Sequence, residues 1–119
     1  MVGESENYGT EQEHLNNVFG ARLRITALRA SAWPGIEFLE HLAPRDGRPR
    51  PADSRSNDLM HWQTRLTITG ADAVERSLRS ARAAFVSPGM VGVPERTLGF
   101  TSGLLVRDPH GHAVQLTEQ

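Results

Sequence analysis

Between Ala43 and Asp58 the chain carries Pro44, Pro49 and Pro51, Gly47 and a scatter of Arg, Asp and Ser, a composition that sustains neither a helical nor a strand period. On both sides of this break the sequence returns to alternating apolar and polar residues. A structureless stretch of this length is longer than most connections inside one compact unit. Residues 43–58 are therefore read as a linker by composition, expected to be a functional loop, a lid or a link between repeated modules.

Upstream, residues 1–20 are polar and rich in Asn and Gly, and read as loop with one short helical turn at most. From Arg22 a strand pattern begins, with Leu23, Ile25 and Ala27 on one face and Arg24, Thr26 and Leu28 on the other. Pro34-Gly35 marks a turn, and a second strand sets Ile36 and Phe38 against Glu37 and Leu39. Downstream, Met60 to Thr69 alternates again, with Trp62, Thr64, Leu66 and Ile68 opposite His61, Gln63, Arg65 and Thr67. Ala73, Val74, Leu78 and Ala81 then recur at helical spacing. Short strands are expected at 91–94, 100–107 and 112–117, the last following the tight turn Asp108-Pro109-His110-Gly111. Residues 57–119 thus read strand, helix, strand, strand, strand, while 22–42 read as two strands. Trp62 and Phe38 are expected to pack in the core.

Composition narrows the function. The 119 residues carry 13 basic and 14 acidic side chains, a formal charge of -1, which argues against a dedicated nucleic-acid binder. The absence of Cys removes disulfides, thiolate zinc sites and cysteine nucleophiles. No apolar run approaches the roughly 20 residues a membrane helix requires, and the first residues lack the pattern of a signal peptide. A cytoplasmic protein without membrane or nucleic-acid partners is the expectation. There is no Gly-rich phosphate loop, G-x-S-x-G elbow or H-E-x-x-H helix.

Asp108-Pro109-His110-Gly111-His112-Ala113-Val114-Gln115-Leu116 is close to the ending D-P-D-G-H-x-V-E-L frequent in one superfamily. Asp58-Leu59-Met60-His61-Trp62 looks like that family's module-opening strand with a ligand His, and Gly35-Ile36-Glu37-Phe38-Leu39 is similar to its I-E-L-L strand. On these motifs residues 20–119 resemble the vicinal oxygen chelate superfamily, which includes glyoxalase I, extradiol dioxygenases, and the bleomycin and fosfomycin resistance proteins. The resemblance implies an α+β fold of βαβββ modules whose mixed sheets curl around a divalent metal, each module donating one ligand from its first strand and one from its last. Residues 57–119 correspond to a complete module and 13–42 to a partial one, with no counterpart for the first module's opening strand and helix.

By that resemblance Glu37, His61 and Gln115 form the metal set, for Fe, Mn, Ni, Zn or Mg. The residues themselves are compatible with it. Each sits on the polar face of an alternating strand, and a carboxylate, an imidazole and an amide oxygen suit hard or borderline cations. Gln115 is the weaker ligand where the family has Glu. Glu37, released from the metal, would be the catalytic proton shuttle of a lyase, isomerase or dioxygenase acting on a small oxygenated compound. Arg24 and Arg65, read as lying on the same face as these ligands, are candidates for gripping an anionic substrate, against the commoner role of salt-bridge partner. His110 and His112 are assigned to the hydrogen bonds of their turn. The alternative from another class is a non-enzymatic protein of the bleomycin-resistance type that sequesters a small molecule, and a degenerate truncated module is a third. With that opening strand missing, the strand at Arg22 to Ala30 or its neighbour is expected to expose an unpaired edge, which leads to the expectation of a homodimer.

Overall fold

The computed structural model describes residues 3–32, 35–94 and 96–119. Pro34, read above as part of a turn, lies outside the described residues. The chain forms two compact units, Met1–Arg48 and Pro49–Gln119, and the division falls inside the stretch read as a linker.

Unit 1 is a three-stranded antiparallel sheet in the order β1-β2-β3, built from β1 (Gly3–Tyr8), β2 (Arg22–Arg29) and β3 (Gly35–Ala43), with α1 (Thr10–Asn16) between the first two strands. The loop expected over residues 1–20 is corrected here: its first part is a strand and its middle a helix. The strand is set by its backbone pairing with β2 rather than by hydrophobicity. Every residue of β1 is exposed, so apolar periodicity had nothing to register. Its acidic side chains instead face the basic ones of β2. Glu6 pairs with Arg24 and Glu4 with Thr26 in the register. The Glu6 carboxylate meets the Arg22 guanidinium at 2.6 Å, and Glu4 lies 3.9 Å from Arg24. The hydrogen bond and charge of Arg22 hold the Glu6 carboxyl below its ordinary range. The seven-residue α1 ends where Asn17 takes a left-handed conformation (φ 53°), as Asn tolerates. The side chain of Glu13 then accepts the Gly20 N–H. Leu23 of β2 is fully buried.

Unit 2 carries β4 (Gln63–Thr67), α2 (Ala71–Ser80), β5 (Ala84–Phe85), β6 (Val91–Gly92), a 3₁₀ turn at Arg96–Leu98, β7 (Ser102–Arg107) and β8 (Ala113–Glu118). The sheet order is β4-β8-β7-β5, with β6 also on β7; β4 and β8 run parallel and the other pairs antiparallel. A parallel pair needs a long crossover, and α2 with the strands after it supplies it. One face of the sheet packs on the helix. Leu104, Val106 and Leu116 are buried there, with Leu66, Ile68, Val74, Leu78, Phe85, Met90 and Val114 against them. Of these, Leu66, Ile68, Val74 and Leu78 are apolar positions of the two periods read from the sequence.

Polar contacts tie the crossover to the sheet. The N-terminus of α2 lacks a side-chain cap of its own, and the Glu118 carboxylate at the end of β8 accepts the N–H groups of Gly70 (3.0 Å) and Ala71 (3.3 Å). A carboxylate there also complements the helix dipole. Glu75 accepts the Met90 N–H and the Arg79 guanidinium; these bonds, the Met90 one foremost, lower its carboxyl's pKa. Trp62 and Phe38 are not core residues. They keep 56% and 52% of their surface exposed; Trp62 precedes β4, and among the described residues β3 is paired with β2 alone.

Candidate functional site

The second face of the unit 2 sheet is where candidate residues gather. On β4 the alternation that sends Leu66 into the core sends Gln63, Arg65 and Thr67 to this other side. The parallel register places Arg65 beside Gln115 and Leu66 beside Leu116. Gln115 in turn lies next to Leu105 of β7. The amides of Gln63 and Gln115 meet, Nε2 to Oε1, at 3.4 Å. The guanidinium of Arg65 lies 5.2 Å from the centroid of the Phe100 ring, and its Nη1 donates to the Leu98 carbonyl at 3.5 Å. Phe100 is buried, so the cation rests on a fixed aromatic face. Among the described residues no carboxylate lies within ion-pair distance of Arg65.

The turn before β8 is built around Asp108. Its Oδ1 accepts the backbone N–H groups of His110 and His112, both at 2.9 Å, and its Oδ2 lies 3.0 Å from Nδ1 of His112. Burial is the largest single influence and pushes the carboxyl up, but the hydrogen bonds from His112 and His110 together outweigh it and leave it below the ordinary value. Arg107 donates to the Gly111 carbonyl at 2.7 Å, and Gly111 itself has φ +91°, a conformation suited to glycine. The Trp62 and His112 rings are in contact, tilted by 31° with centroids 4.7 Å apart.

The residues singled out from the sequence are placed as follows. Gln115 and Arg65 share one face and are neighbours. His61 lies two residues before β4, and its backbone N–H donates to the Asp58 carbonyl at 2.9 Å; the side chain that meets Gln115 is Gln63. Glu37 is exposed on β3, opposite Ala27. Arg24 pairs in the register with Glu40, not with the Glu37 side of the strand, so the expectation that it shares a face with Glu37 is corrected. Its guanidinium is held by Glu40 at 3.0 Å and Glu4 at 3.9 Å, the ordinary fate of an Arg on a sheet. Gln63 and Phe100 were missed. The signal for Gln63 was its place on the Arg65 face of an alternating strand; Phe100 carried none, since only the chain's return over the sheet brings it to Arg65.

A divalent cation is a poor fit to this face. Its two amides are neutral and already meet each other, and a guanidinium stands on the strand next to Gln115, where a second cation raises the cost of binding a first. No group of three or more His, Asp or Glu among the described residues is arranged to hold a metal ion.

No protein-family model matches the chain, and no curated protein does. Among solved structures, a glyoxalase family protein from Bacillus cereus is similar, with a TM-score of 0.74 and 19% identity over 98% of this chain and 75% of that one. The likeness shows the fold: the α+β architecture is that of the glyoxalase, or vicinal oxygen chelate, proteins. No helix among the described residues is long and apolar enough to cross a membrane.

Proposed function

We propose that this chain, built on the glyoxalase fold, binds a small oxygenated anion on the face of the unit 2 sheet opposite α2, with Arg65 as its principal contact. The observation that carries this is an Arg guanidinium without a carboxylate partner among the described residues, seated on Phe100 and flanked by Gln115. Guanidinium offers five N–H donors in a planar fork that matches a carboxylate or two vicinal oxygens. One donor reaches Leu98, and among the described residues no carboxylate meets the others. Gln63 and Gln115 add neutral donors and acceptors that orient oxygen atoms without titrating. This is the chemistry of recognition and sequestration. A metal-dependent lyase, isomerase or dioxygenase on the same fold has less support, because the donor set beside Gln115 is an amide and a cation rather than an imidazole and a carboxylate.

The test is calorimetric titration of the chain with salicylate and with phenylpyruvate, each pairing a carboxylate with a neighbouring oxygen. Losing charge-assisted hydrogen bonds of about 1.5–3 kcal/mol should weaken binding roughly 10- to 100-fold in Arg65→Ala, and Arg65→Lys should recover part of it. Affinity unchanged by Arg65→Ala refutes the assignment. One divalent ion per chain after reconstitution, lost in His61→Ala, would replace it with the metal-dependent reading.

A further inference from the structure

We infer that unit 2 holds a second ligand site: a cleft between the C-terminal end of α2 and the β7–β8 turn that takes an amphipathic monocarboxylate, its apolar chain against the core and its carboxylate on Arg82. The cleft has a volume of about 580 Å³, within the range of small-molecule sites. It lies on the α2 side of the sheet, since Leu78, Val106 and Leu116 line it and all three belong to the apolar cluster packed with the helix. Arg65 and Gln115 stand on the other face, so the inference is independent of the reading given for them. The core is open at this end because the residues that close α2 and begin β5 are small. Ala81, Ala83 and Ala84 line the opening, and Leu78 and Val114 stay only half-buried.

The charge at the cleft is cationic. Arg82, Arg107 and Asp108 line it, but the Asp108 carboxylate is engaged by the His110 and His112 N–H groups and the His112 ring. Among the described residues no carboxylate lies within ion-pair distance of Arg82 or Arg107. Arg107 donates to the Gly111 carbonyl at 2.7 Å, which ties it to the turn, so Arg82 is the principal contact. Arg82 also stands where the local backbone favours a different residue. At the end of α2 the Ala83 N–H donates to the Leu78 carbonyl at 2.9 Å and the Arg82 N–H to the Arg79 carbonyl at 3.0 Å, a closure that holds Arg82 in the left-handed region (φ 55°). Gly is the usual residue there, because a Cβ is strained in that conformation. A cation near a helix C-terminus complements the dipole, but Arg79 in the last turn already supplies one. An Arg in strained backbone beside an apolar cleft breaks a local rule at the place where a ligand would need it. Its planar fork matches a carboxylate, and the apolar walls select an anion that carries a hydrocarbon chain.

Calorimetric titration of the full chain with decanoate tests it, with decanol as the uncharged probe of the same tail and acetate as the head group alone. Decanoate should bind saturably with a Kd below about 1 mM. Decanol should bind at least roughly tenfold more weakly, and acetate should not saturate. In two-dimensional amide NMR spectra decanoate should shift Ala83, Ala84 and Val106 more than Arg65 and Gln115. Arg82→Gly should weaken decanoate roughly tenfold while its urea midpoint stays at or above that of the wild type, since Gly suits the left-handed position. Ala81→Phe, which adds bulk to the cleft wall at an exposed position, should weaken decanoate and decanol alike and carries the test if Arg82→Gly fails to fold. No saturable decanoate binding to the wild type, decanol or acetate as tight as decanoate, or shifts centred on Arg65 and Gln115 would overturn the proposal. So would unchanged decanoate affinity in Arg82→Gly or Ala81→Phe, or a lowered urea midpoint in Arg82→Gly.

Discussion

Replacing Asp108 by Ala removes the centre of the β7–β8 turn. Three contacts go at once: the N–H groups of His110 and His112 lose their acceptor at 2.9 Å, and Nδ1 of His112 loses its partner at 3.0 Å. A hydrogen bond to an ionised group contributes about 1.5–3 kcal/mol when shielded. The side chain of Asp108 keeps 24% of its surface exposed, so water takes over part of each bond in the variant. The net loss should be about 2–3 kcal/mol, or a fall in Tm of roughly 8–12 °C for a chain of this size. Asp108→Asn retains an acceptor without the charge and should lose about 1 kcal/mol. The effect must depend on pH in one direction. The folded-state pKa of Asp108 lies below its unfolded value, so its stabilisation is complete above about pH 5 and is lost as pH falls below about 4 through the folded value. Urea unfolding of wild type and Asp108→Ala, followed by far-UV circular dichroism at pH 6 and at pH 3, measures both statements. A gap under about 0.5 kcal/mol at pH 6, against the magnitude derived from the hydrogen bonds, or a gap that widens on acidification, refutes the reasoning.

Two further outcomes follow from unit 2. Leu104, 2% exposed at the centre of the core, should cost about 2–5 kcal/mol when cut to Ala, readable as a lower urea midpoint at an unchanged m-value; a loss below about 1 kcal/mol would mean that the core repacks or is loose. Glu118→Gln removes the charge that caps α2 from the neighbouring strand and should destabilise by about 1 kcal/mol, with faster hydrogen exchange of the Gly70 and Ala71 amides as the local readout.

Residues 63–118 were largely legible. Their core alternates at period two along β4, β7 and β8 and at helical period along α2, and both periods are local properties of the chain. The turn at Asp108 was equally visible, because an Asx side chain bonds its own backbone within four residues. β1 was not, since every residue of Gly3–Tyr8 is exposed and what places it is a backbone ladder to β2, from Gly3 opposite Ala27 to Tyr8 opposite Arg22, a non-local pairing that apolar periodicity does not register.

The candidate site divides along the same line. From the sequence alone it followed that Arg65 and Gln115 lie on polar strand faces and that Arg24 alternates with Leu23. Only the folded sheets decided that Arg65 stands beside Gln115, that Gln63 rather than His61 meets that amide, and that Arg24 is consumed by Glu40 on the face away from Glu37. Alternation assigns a residue to one of two faces of its own strand. Which faces of different strands coincide is set by pairing register, a non-local property that a one-residue slip reverses throughout a strand.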